Sequence, residues 1–245
     1  MPIPNVLLEI KRISVENHLS EPFIVGGLPR DKILGLSKMI DDVDITTGDS
    51  SIDKLVGFCS NKFGLQPLAF EDGHKQLIIQ SIKYDFSSNF HSPDVEYFLT
   101  QKAKIKNPSQ MQLELFSRDF TCNTLILPMN LRSVKDLTGM GINDIKKKIL
   151  RTPLPPRITL RDDPRRVIRA IYLAAKLDFE IEPDIIFWAK NHPEQIKQAV
   201  KPGFSRRKLA SAAKYNIQKS IHYIKEMNLF NVVAVPSIIQ QQYFG

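Results

Sequence analysis

The sequence is poor in cysteine and contains no long apolar run. Cys59 and Cys122 are the two cysteines among 245 residues, and this pair predicts neither a disulfide framework nor a zinc site. No segment approaches the roughly 18 apolar residues that span a bilayer, and the N-terminus lacks the basic and apolar regions of a secretory signal. These absences predict a cytoplasmic protein that does not contact a membrane.

A dinucleotide-binding glycine motif is also missing. Gly26 and Gly27 are adjacent, which is not the G-x-G-x-x-G spacing of such motifs. A Rossmann-type dehydrogenase is therefore disfavoured. The remaining composition, 42% hydrophobic and 24% charged, is that of a globular protein with enough apolar residues for one substantial core or two small ones.

Positive charge is unevenly distributed along the chain. Residues 1–150 carry 18 Lys and Arg against 18 Asp and Glu, whereas residues 151–245 carry 16 against 8. The whole excess of +8 therefore lies in the C-terminal part. A basic segment beside a neutral one predicts a polyanionic partner such as nucleic acid, although solubility alone is the alternative explanation.

Apolar periodicity predicts a mixed first part, which indicates an α+β fold. The predicted strands are residues 22–25, 43–46, 77–84, 94–98 and 124–127. The predicted helices are residues 6–16, 30–35 and 52–63.

The character of the chain changes after Thr152. Three prolines at 153, 155 and 156 indicate a stiff connector, and helical patterns follow. One helix is predicted to open at Asp162-Asp163-Pro164, with an acidic N-cap and proline in the first turn; others are predicted near Pro183 and after Ser205. We therefore predict a domain boundary here, with a mixed domain at 1–152 and a helical region at 153–245.

One pair of carboxylates stands out in the first part. Asp42 and Asp44 are two residues apart on a predicted strand, so their side chains share one face. Upstream, Gly26 and Gly27 allow close approach of the backbone to a phosphate, and Arg30 supplies a cation. Carboxylates beside a phosphate site are the ligands that Mg²⁺ uses, so these residues predict a metal-dependent phosphoryl-transfer site.

Four segments in chain order carry a resemblance to one family. They are residues 23–31 with Asp42-Val43-Asp44, residues 117–123, residues 136–144 with 149–152, and residues 162–170 with 174–180. Together they resemble the class II tRNA nucleotidyltransferase and poly(A) polymerase family, within the polymerase-beta-like nucleotidyltransferase superfamily. The resemblance implies a head domain with a mixed sheet and flanking helices, followed by an all-α neck.

The resemblance also implies roles for individual residues. Asp42 and Asp44 would hold two Mg²⁺ ions and be catalytic, and a third carboxylate from Asp85 or Glu96 is compatible with the superfamily. Asp163 and Arg166, three apart on a predicted helix, would select the base. The residues implied in nucleotide binding are Gly26, Gly27, Arg30, Arg118, Asp119, Asn123, Asp163, Arg166 and Arg169, and those implied in RNA binding are Arg206, Arg207 and Lys208.

The implied reaction is attack of an RNA 3′-hydroxyl on the α-phosphate of a nucleoside triphosphate. ATP and CTP are the expected substrates, and the 3′ end of tRNA, through CCA addition or repair, is the expected acceptor. Poly(A) addition and addition of C only or A only stay open. An alternative of another class is a degenerate module that binds RNA or nucleotide without catalysis.

The chain departs from the family pattern at four positions. Pro29, Asp162, Ser117 and Tyr172 replace residues that the motifs usually carry, so specificity for CTP and ATP is not assured. Little sequence follows the predicted neck helices. Three explanations of this short C-terminal part stay open. The chain is a minimal enzyme, a partner protein or oligomer helps to bind the substrate, or the product is less specific than CCA.

Overall fold

The computed structural model describes residues 3–36, 40–70, 73–87 and 93–244. The chain divides into two compact units, Met1–Asn143 and Asp144–Gly245. The division falls before residue 152, where the sequence pattern changes. Ile149 and Leu150 pair with Glu180 and Ile181, which places residues 149–150 in the second unit.

The first unit is built on a six-stranded mixed sheet, as the α+β prediction requires. Its strands are β1 (Phe23–Val25), β2 (Asp42–Thr46), β3 (Leu68–Ala69), β4 (Lys75–Ile79), β5 (Ile82–Phe86) and β6 (Leu127–Pro128), in the order β3-β4-β5-β2-β1-β6. The β2–β5 pair is parallel and the other four pairs are antiparallel. Its helices are α1 (Ile3–Glu16), α2 (Gly27–Ile33), α3 (Ser51–Phe63), α4 (Pro93–Tyr97) and α5 (Gln110–Phe116), and α6 (Gly141–Lys147) crosses the boundary between the units.

One face of this sheet forms the main core with α1 and α3. Val43, Ile45 and Tyr84 point from the central strands into this core and are fully buried. Residues between them on the same strands therefore point to the opposite face, because side chains alternate along a strand. This alternation leaves the opposite face of β2 and β5 for polar groups.

Two strand predictions in this unit are wrong, and the strand predicted at 124–127 agrees only at its end, because β6 begins at Leu127. Residues 77–84 form parts of two strands, β4 and β5, joined by Gln80 and Ser81 with φ of 52° and 66°. Neither residue is the glycine, asparagine or aspartate that such positive-φ hairpin turns favour, so the sequence pattern did not reveal the hairpin. Residues 94–98 lie in helix α4 and the π-helical turn Phe98–Lys102, because Pro93 and acidic residues in the first turn favour a helix start.

The second unit is mainly helical. Its helices are α7 (Pro156–Asp162), α8 (Arg166–Leu177), α9 (Pro183–Asn191), α10 (Pro193–Ala199), α11 (Pro202–Glu226) and α12 (Ser237–Phe244), and the short parallel strands β7 (Ile149–Leu150) and β8 (Glu180–Ile181) pair with each other. The helix predicted near Pro183 is confirmed. Residues Val167, Ile168, Ile171, Ala174 and Ala175 form the buried stripe of α8, which packs against α11.

Helix α11 is interrupted at Asn216. This residue has extended backbone angles, and its side-chain oxygen accepts the backbone N–H of Lys219 at 2.9 Å. Asn216 therefore caps the second half of the helix. The start predicted after Ser205 is wrong, because the helix begins at Pro202 and the buried Ser205 hydroxyl donates to the Pro202 carbonyl.

Both cysteines are buried in the first unit. Burial raises the pKa of Cys59 to about 12 and that of Cys122 to about 12, so both thiols stay protonated at neutral pH. Within the ranges that the structure describes, no helix has the length and apolar character needed to span a membrane.

Candidate active site

Asp42 and Asp44 lie on the polar face of the central strands. Val43 and Ile45 alternate with them into the core, which leaves Asp42 exposed and Asp44 half-buried on the opposite side. Asp44 stands beside Asp85 of β5 in the parallel register, so Asp85 shares this face. The structure therefore gathers three carboxylates on two adjacent strands, and of the two candidates for a third carboxylate it brings Asp85 to this place. Glu96 lies exposed on α4.

The carboxyl groups of Asp42 and Asp85 interact with each other. Although the residue as a whole is exposed, partial desolvation of its carboxyl group and the neighbouring Asp85 raise the pKa of Asp42 to about 6, whereas the nearby Lys83 opposes the rise. Gln76, the residue opposite Asp85 on β4, donates its side-chain amide to Asp85 at 2.8 Å. Gln76 thus orients Asp85 toward Asp42. No sequence motif marks Gln76, because its role depends on strand register.

Gly26 sits directly against the carboxylate of Asp44. It follows β1 with φ of +72°, and a Cβ built on it would lie 2.3 Å from Asp44 Oδ2. Any side chain at this position would collide with the carboxylate and would strain the left-handed backbone. The first glycine of the predicted phosphate-binding pair therefore provides the space that Asp44 occupies.

Arg30 lies inside a buried polar network and is only 4% exposed. Its guanidinium donates to Asp31 at 2.8 and 2.9 Å and to Asn123 Oδ1 at 2.7 Å. The amide of Asn123 donates in turn to Asp119 at 3.0 Å. A Cβ added to Gly27 would lie 3.3 Å from Arg30 Nη2, so this glycine lets the guanidinium approach the chain. The network ties α2 to the segment that follows α5.

Arg118 is held by a buried carboxylate that the sequence reasoning missed. Its guanidinium donates to Glu114 Oε1 at 2.7 and 3.1 Å, and Glu114 is fully buried. Desolvation opposes the charge of Arg118, but Glu114, Asp44 and Asp119 hold the pKa of Arg118 above its ordinary value. The attraction to Asp44 links Arg118 to the carboxylate cluster. The available signal for Glu114 was the spacing of four residues, about one helical turn, between Glu114 on α5 and Arg118 just beyond the end of that helix.

The third resembling segment forms a tight turn. Asp136 accepts the backbone N–H groups of Thr138, Gly139 and Ile142 at 3.2, 2.9 and 3.0 Å. Gly141 passes so close to Thr121 that an added Cβ would lie 2.5 Å from its carbonyl oxygen. These contacts give the segment a structural role beside the polar network.

The fourth segment lies in the second unit, and its geometry differs from the prediction. Asp163 follows the end of α7 in an extended conformation, because a residue before proline disfavours the helical region. Asp162 ends α7 and α8 begins at Arg166, so the helix predicted to open at Asp162-Asp163 begins later, and Asp163 and Arg166 do not share a helix face. The carboxylate of Asp163 still accepts the backbone N–H of Arg165 at 3.0 Å, as an acidic cap does. The carboxylate of Asp163 accepts Arg165 Nε at 2.8 Å and Nη2 at 3.0 Å.

Two further cations of this segment lie on α8. Arg166 Nη1 donates to the Thr159 carbonyl at 3.2 Å, which ties the start of α8 to α7. Arg169 lies one turn further along and is half-buried. Arg206 and Arg207 are exposed in the first turns of α11, and Lys208 is half-buried beside them.

The donor set of the carboxylate cluster fits Mg²⁺. Among the residues described, no group of three or more His, Cys, Asp or Glu side chains is arranged to hold a metal ion. Mg²⁺ does not require three such ligands from the protein, since it usually takes one or two carboxylates together with substrate phosphates and water. The raised pKa of Asp42 reflects burial and repulsion between carboxylates, and a cation would relieve the repulsion.

Comparison with known proteins identifies a matching family and several relatives. Residues 22–151 match the Poly A polymerase head domain family. The chain is 27% identical over 180 residues to the tRNA nucleotidyltransferase cca2 of Schizosaccharomyces pombe, a match that covers 66% of this chain and 37% of the relative. It is 28% identical over 184 residues to an A-adding tRNA nucleotidyltransferase of Aquifex aeolicus, covering 74% of this chain and 20% of the relative.

The fold also matches solved structures. A Thermotoga maritima CCA-adding enzyme complexed with tRNA has a TM-score of 0.69 and 19% identity, over 92% of this chain and 50% of that chain. At this identity the likeness concerns the fold alone. The chain spans less than half the length of the curated relatives described above.

Proposed function

This chain belongs to the Poly A polymerase head domain family through residues 22–151, and we propose on that basis that it transfers nucleotides to the 3′ end of RNA. The observation that carries the proposal is the cluster of Asp42, Asp44 and Asp85 beside Gly26. A module that only binds RNA has no need for carboxylates that repel each other on one sheet face. The substrates proposed are ATP and CTP, and the acceptor proposed is tRNA.

Asp42 and Asp44 are the proposed ligands of two Mg²⁺ ions, with Asp85 as the third carboxylate. Nucleotidyltransferases of this family generally use divalent metals. When bound, the metal lowers the pKa of the attacking 3′-hydroxyl and stabilises charge on the leaving pyrophosphate. Gln76 keeps Asp85 oriented toward Asp42, and Gly26 leaves room for the carboxylate of Asp44.

Two arginines have different proposed roles near this cluster. Arg118, attracted to Asp44 and anchored by Glu114, stabilises the negative charge of the triphosphate. Arg30 is buried and engaged by Asp31 and Asn123, which favours a positioning role. Through this network, Arg30 holds the backbone of Gly27 and the segment with Asp119 in the shape that receives the nucleotide.

Selection of the base is proposed for the second unit. Asp163 offers carboxylate oxygens that accept hydrogen bonds, and Arg166 offers a planar donor group. Arg165 engages Asp163 in the structure, so a base that pairs with Asp163 would have to share or displace that contact. Arg169 is the proposed phosphate partner on the same helix.

The proposed product is a tRNA that carries added C and A residues. The names of the relatives include a tRNA nucleotidyltransferase and an A-adding tRNA nucleotidyltransferase, which supports tRNA as the acceptor and leaves A-only addition as the second candidate. The test is incubation of the purified chain with Mg²⁺, with tRNA that lacks its 3′ CCA, and with each nucleoside triphosphate separately. Sequencing of the 3′ ends distinguishes CCA, A alone, C alone and a poly(A) tail.

Asp42→Asn and Asp44→Asn should each reduce incorporation by at least about a thousandfold, because metal stabilisation contributes several kcal/mol to the reaction. Asp94→Asn, at an exposed carboxylate of α4, is the matched control and should retain activity. Thermal unfolding verifies that each variant is folded. Near-normal turnover in a folded Asp42→Asn variant would reject the assignment of the cluster.

A further inference from the structure

Two tyrosines and two lysines meet where α8 packs against α11. The rings of Tyr172 and Tyr215 are arranged edge to face, with centroids 6.1 Å apart. The ammonium group of Lys208 lies 4.5 Å from the centroid of Tyr172, and that of Lys176 lies 5.6 and 6.0 Å from the two ring centroids. Tyr215 remains 54% exposed. We call these four residues the tyrosine–lysine surface.

The contacts between rings and ammonium groups in this surface do not cancel its positive charge. An aromatic face attracts a cation through its quadrupole, but it does not neutralise the cation as a carboxylate does. Lys176 and Lys208 therefore bring positive charge beside an exposed ring. The unit that holds them carries 19 Lys and Arg against 9 Asp and Glu, a net charge of +10, so its complement is a polyanion.

An exposed aromatic ring beside cations favours single-stranded RNA over duplex RNA. Unpaired bases expose their π-faces to protein aromatic groups, whereas the bases of a duplex are already stacked on each other. Lysines nearby neutralise the phosphates that join such bases. We propose that the tyrosine–lysine surface binds a single-stranded segment of the RNA substrate, with a base stacked on Tyr215 and phosphates held by Lys176 and Lys208.

The position of this surface on α8 connects it with the proposed nucleotide contacts. Arg169, Tyr172 and Lys176 are spaced three and four residues apart and share one side of the helix. At 1.5 Å per residue, Lys176 lies about 10 Å along the helix axis from Arg169, the proposed phosphate contact. The identity of the strand as substrate rests on the proposed function, whereas its binding to the surface does not.

The test is equilibrium binding of an unstructured oligouridylate and of a short RNA duplex to the full chain, without nucleotide or metal. Tyr215→Ala should weaken oligouridylate binding by about tenfold and duplex binding by less than about twofold, since one stacked base is lost. Tyr215→Phe should retain the affinity, because stacking needs the ring and not the hydroxyl. The double variant Lys176→Ala with Lys208→Ala should reduce the slope of log affinity against log salt concentration by about 1.4, or about 0.7 for each phosphate no longer neutralised.

Matched controls come from the same unit. Phe187, 69% exposed on α9, and Lys197, exposed on α10, lie outside the surface, and their alanine variants should bind as the parent does. Equal losses for both RNAs in Tyr215→Ala, or no loss for either, would overturn the proposal once circular dichroism verifies the fold. Because no turnover is measured, an inactive Asp42→Asn chain serves equally well, and a failure of the proposed function is seen separately.

Discussion

At the scale of single residues, Gly26 and Asp44 occupy neighbouring space on two paired strands. Val25 is opposite Asp44 in the β1–β2 ladder, so the backbone after β1 cannot move away without loss of strand hydrogen bonds. A side chain at position 26 would therefore displace the Asp44 carboxylate. Glycine is therefore required here both by the positive φ of the backbone and by the neighbouring carboxylate of Asp44.

Gly26→Ala should lower kcat by about a hundredfold, because a misplacement of about 1 Å at the reacting groups has that effect. Gly35→Ala is the control: Gly35 has φ of +66°, but a Cβ there meets nothing within 4 Å. Both glycines have positive φ, so both variants bear a backbone cost, which thermal unfolding measures separately from activity. Steady-state kinetics and thermal unfolding separate the effects, and equal activities of the two variants would contradict the role assigned to Gly26.

The pair of Asp42 and Asp85 should make the proposed metal binding sensitive to pH. The folded pKa of about 6 lies above the ordinary value of 3.8, so the shared proton stabilises the metal-free fold at low pH. That contribution is lost as the pH rises through about 6. A metal must displace the same proton, and its apparent affinity should therefore fall below about pH 6.

Thermal unfolding with and without Mg²⁺ measures this competition. Mg²⁺ should raise the unfolding temperature more at about pH 7.5 than at about pH 5, because ligation and protonation exclude each other. In Asp42→Asn the dependence on pH should disappear together with most of the stabilisation. A parent protein stabilised equally at both values would show that the pair does not hold the metal.

At the scale of elements, Asn216 divides α11 into two helices. Its side chain caps the second half, and its carbonyl accepts the Ser220 hydroxyl at 2.7 Å. Below the break, Lys219 donates to Asp178 and Glu180 at 2.8 Å each, and Tyr223 donates to Glu180 at 2.6 Å. The second half is thereby attached to β8 and the end of α8.

Asn216→Ala should lower the free energy of unfolding by about 1 kcal/mol, the usual effect of removing an N-cap. Asn216→Asp should retain most of the stability, because a carboxylate also accepts the N–H of Lys219. Urea denaturation measures both variants. If the Asn216→Ala variant proved as stable as the parent protein, the side chain of Asn216 would not stabilise the second half of α11.

Elements with clear local signals were predictable, and those that depend on register were not. The helix near Pro183 and the paired aspartates follow from proline placement and from alternation along a strand. The hairpin at Gln80-Ser81 lacks the glycine, asparagine or aspartate that marks such turns, and the contact of Gln76 with Asp85 depends on which strands pair. Asp163 lies outside the predicted helix because a residue that precedes proline, here Pro164, disfavours helical backbone angles.

At the scale of the whole molecule, the two units differ in charge. The first carries 15 Lys and Arg against 17 Asp and Glu, a net charge of −2, and the second carries +10. The boundary seen in the structure thus sharpens the contrast that the sequence indicated. Attraction of RNA is expected to arise mainly from the second unit.

Arg206→Gln with Arg207→Gln should therefore reduce the slope of RNA affinity against salt by about 1.4, or about 0.7 for each phosphate that is no longer neutralised. Lys102→Gln with Lys104→Gln removes two exposed cations from the first unit and should leave the slope unchanged. Fluorescence anisotropy over a salt series provides the slopes. Equal reductions of the slope in both double variants would show that cations of the two units contribute equally to RNA binding.

The two buried cysteines make the chain suitable for selective labelling. Cys59 and Cys122 are enclosed and protonated, so a maleimide added to the folded protein will not modify them rapidly. One cysteine introduced on the surface of each unit, for example Asp53→Cys and Lys190→Cys, can then carry a dye without removal of the native thiols. Energy transfer between such dyes will report how the distance between the units responds to RNA and nucleotide.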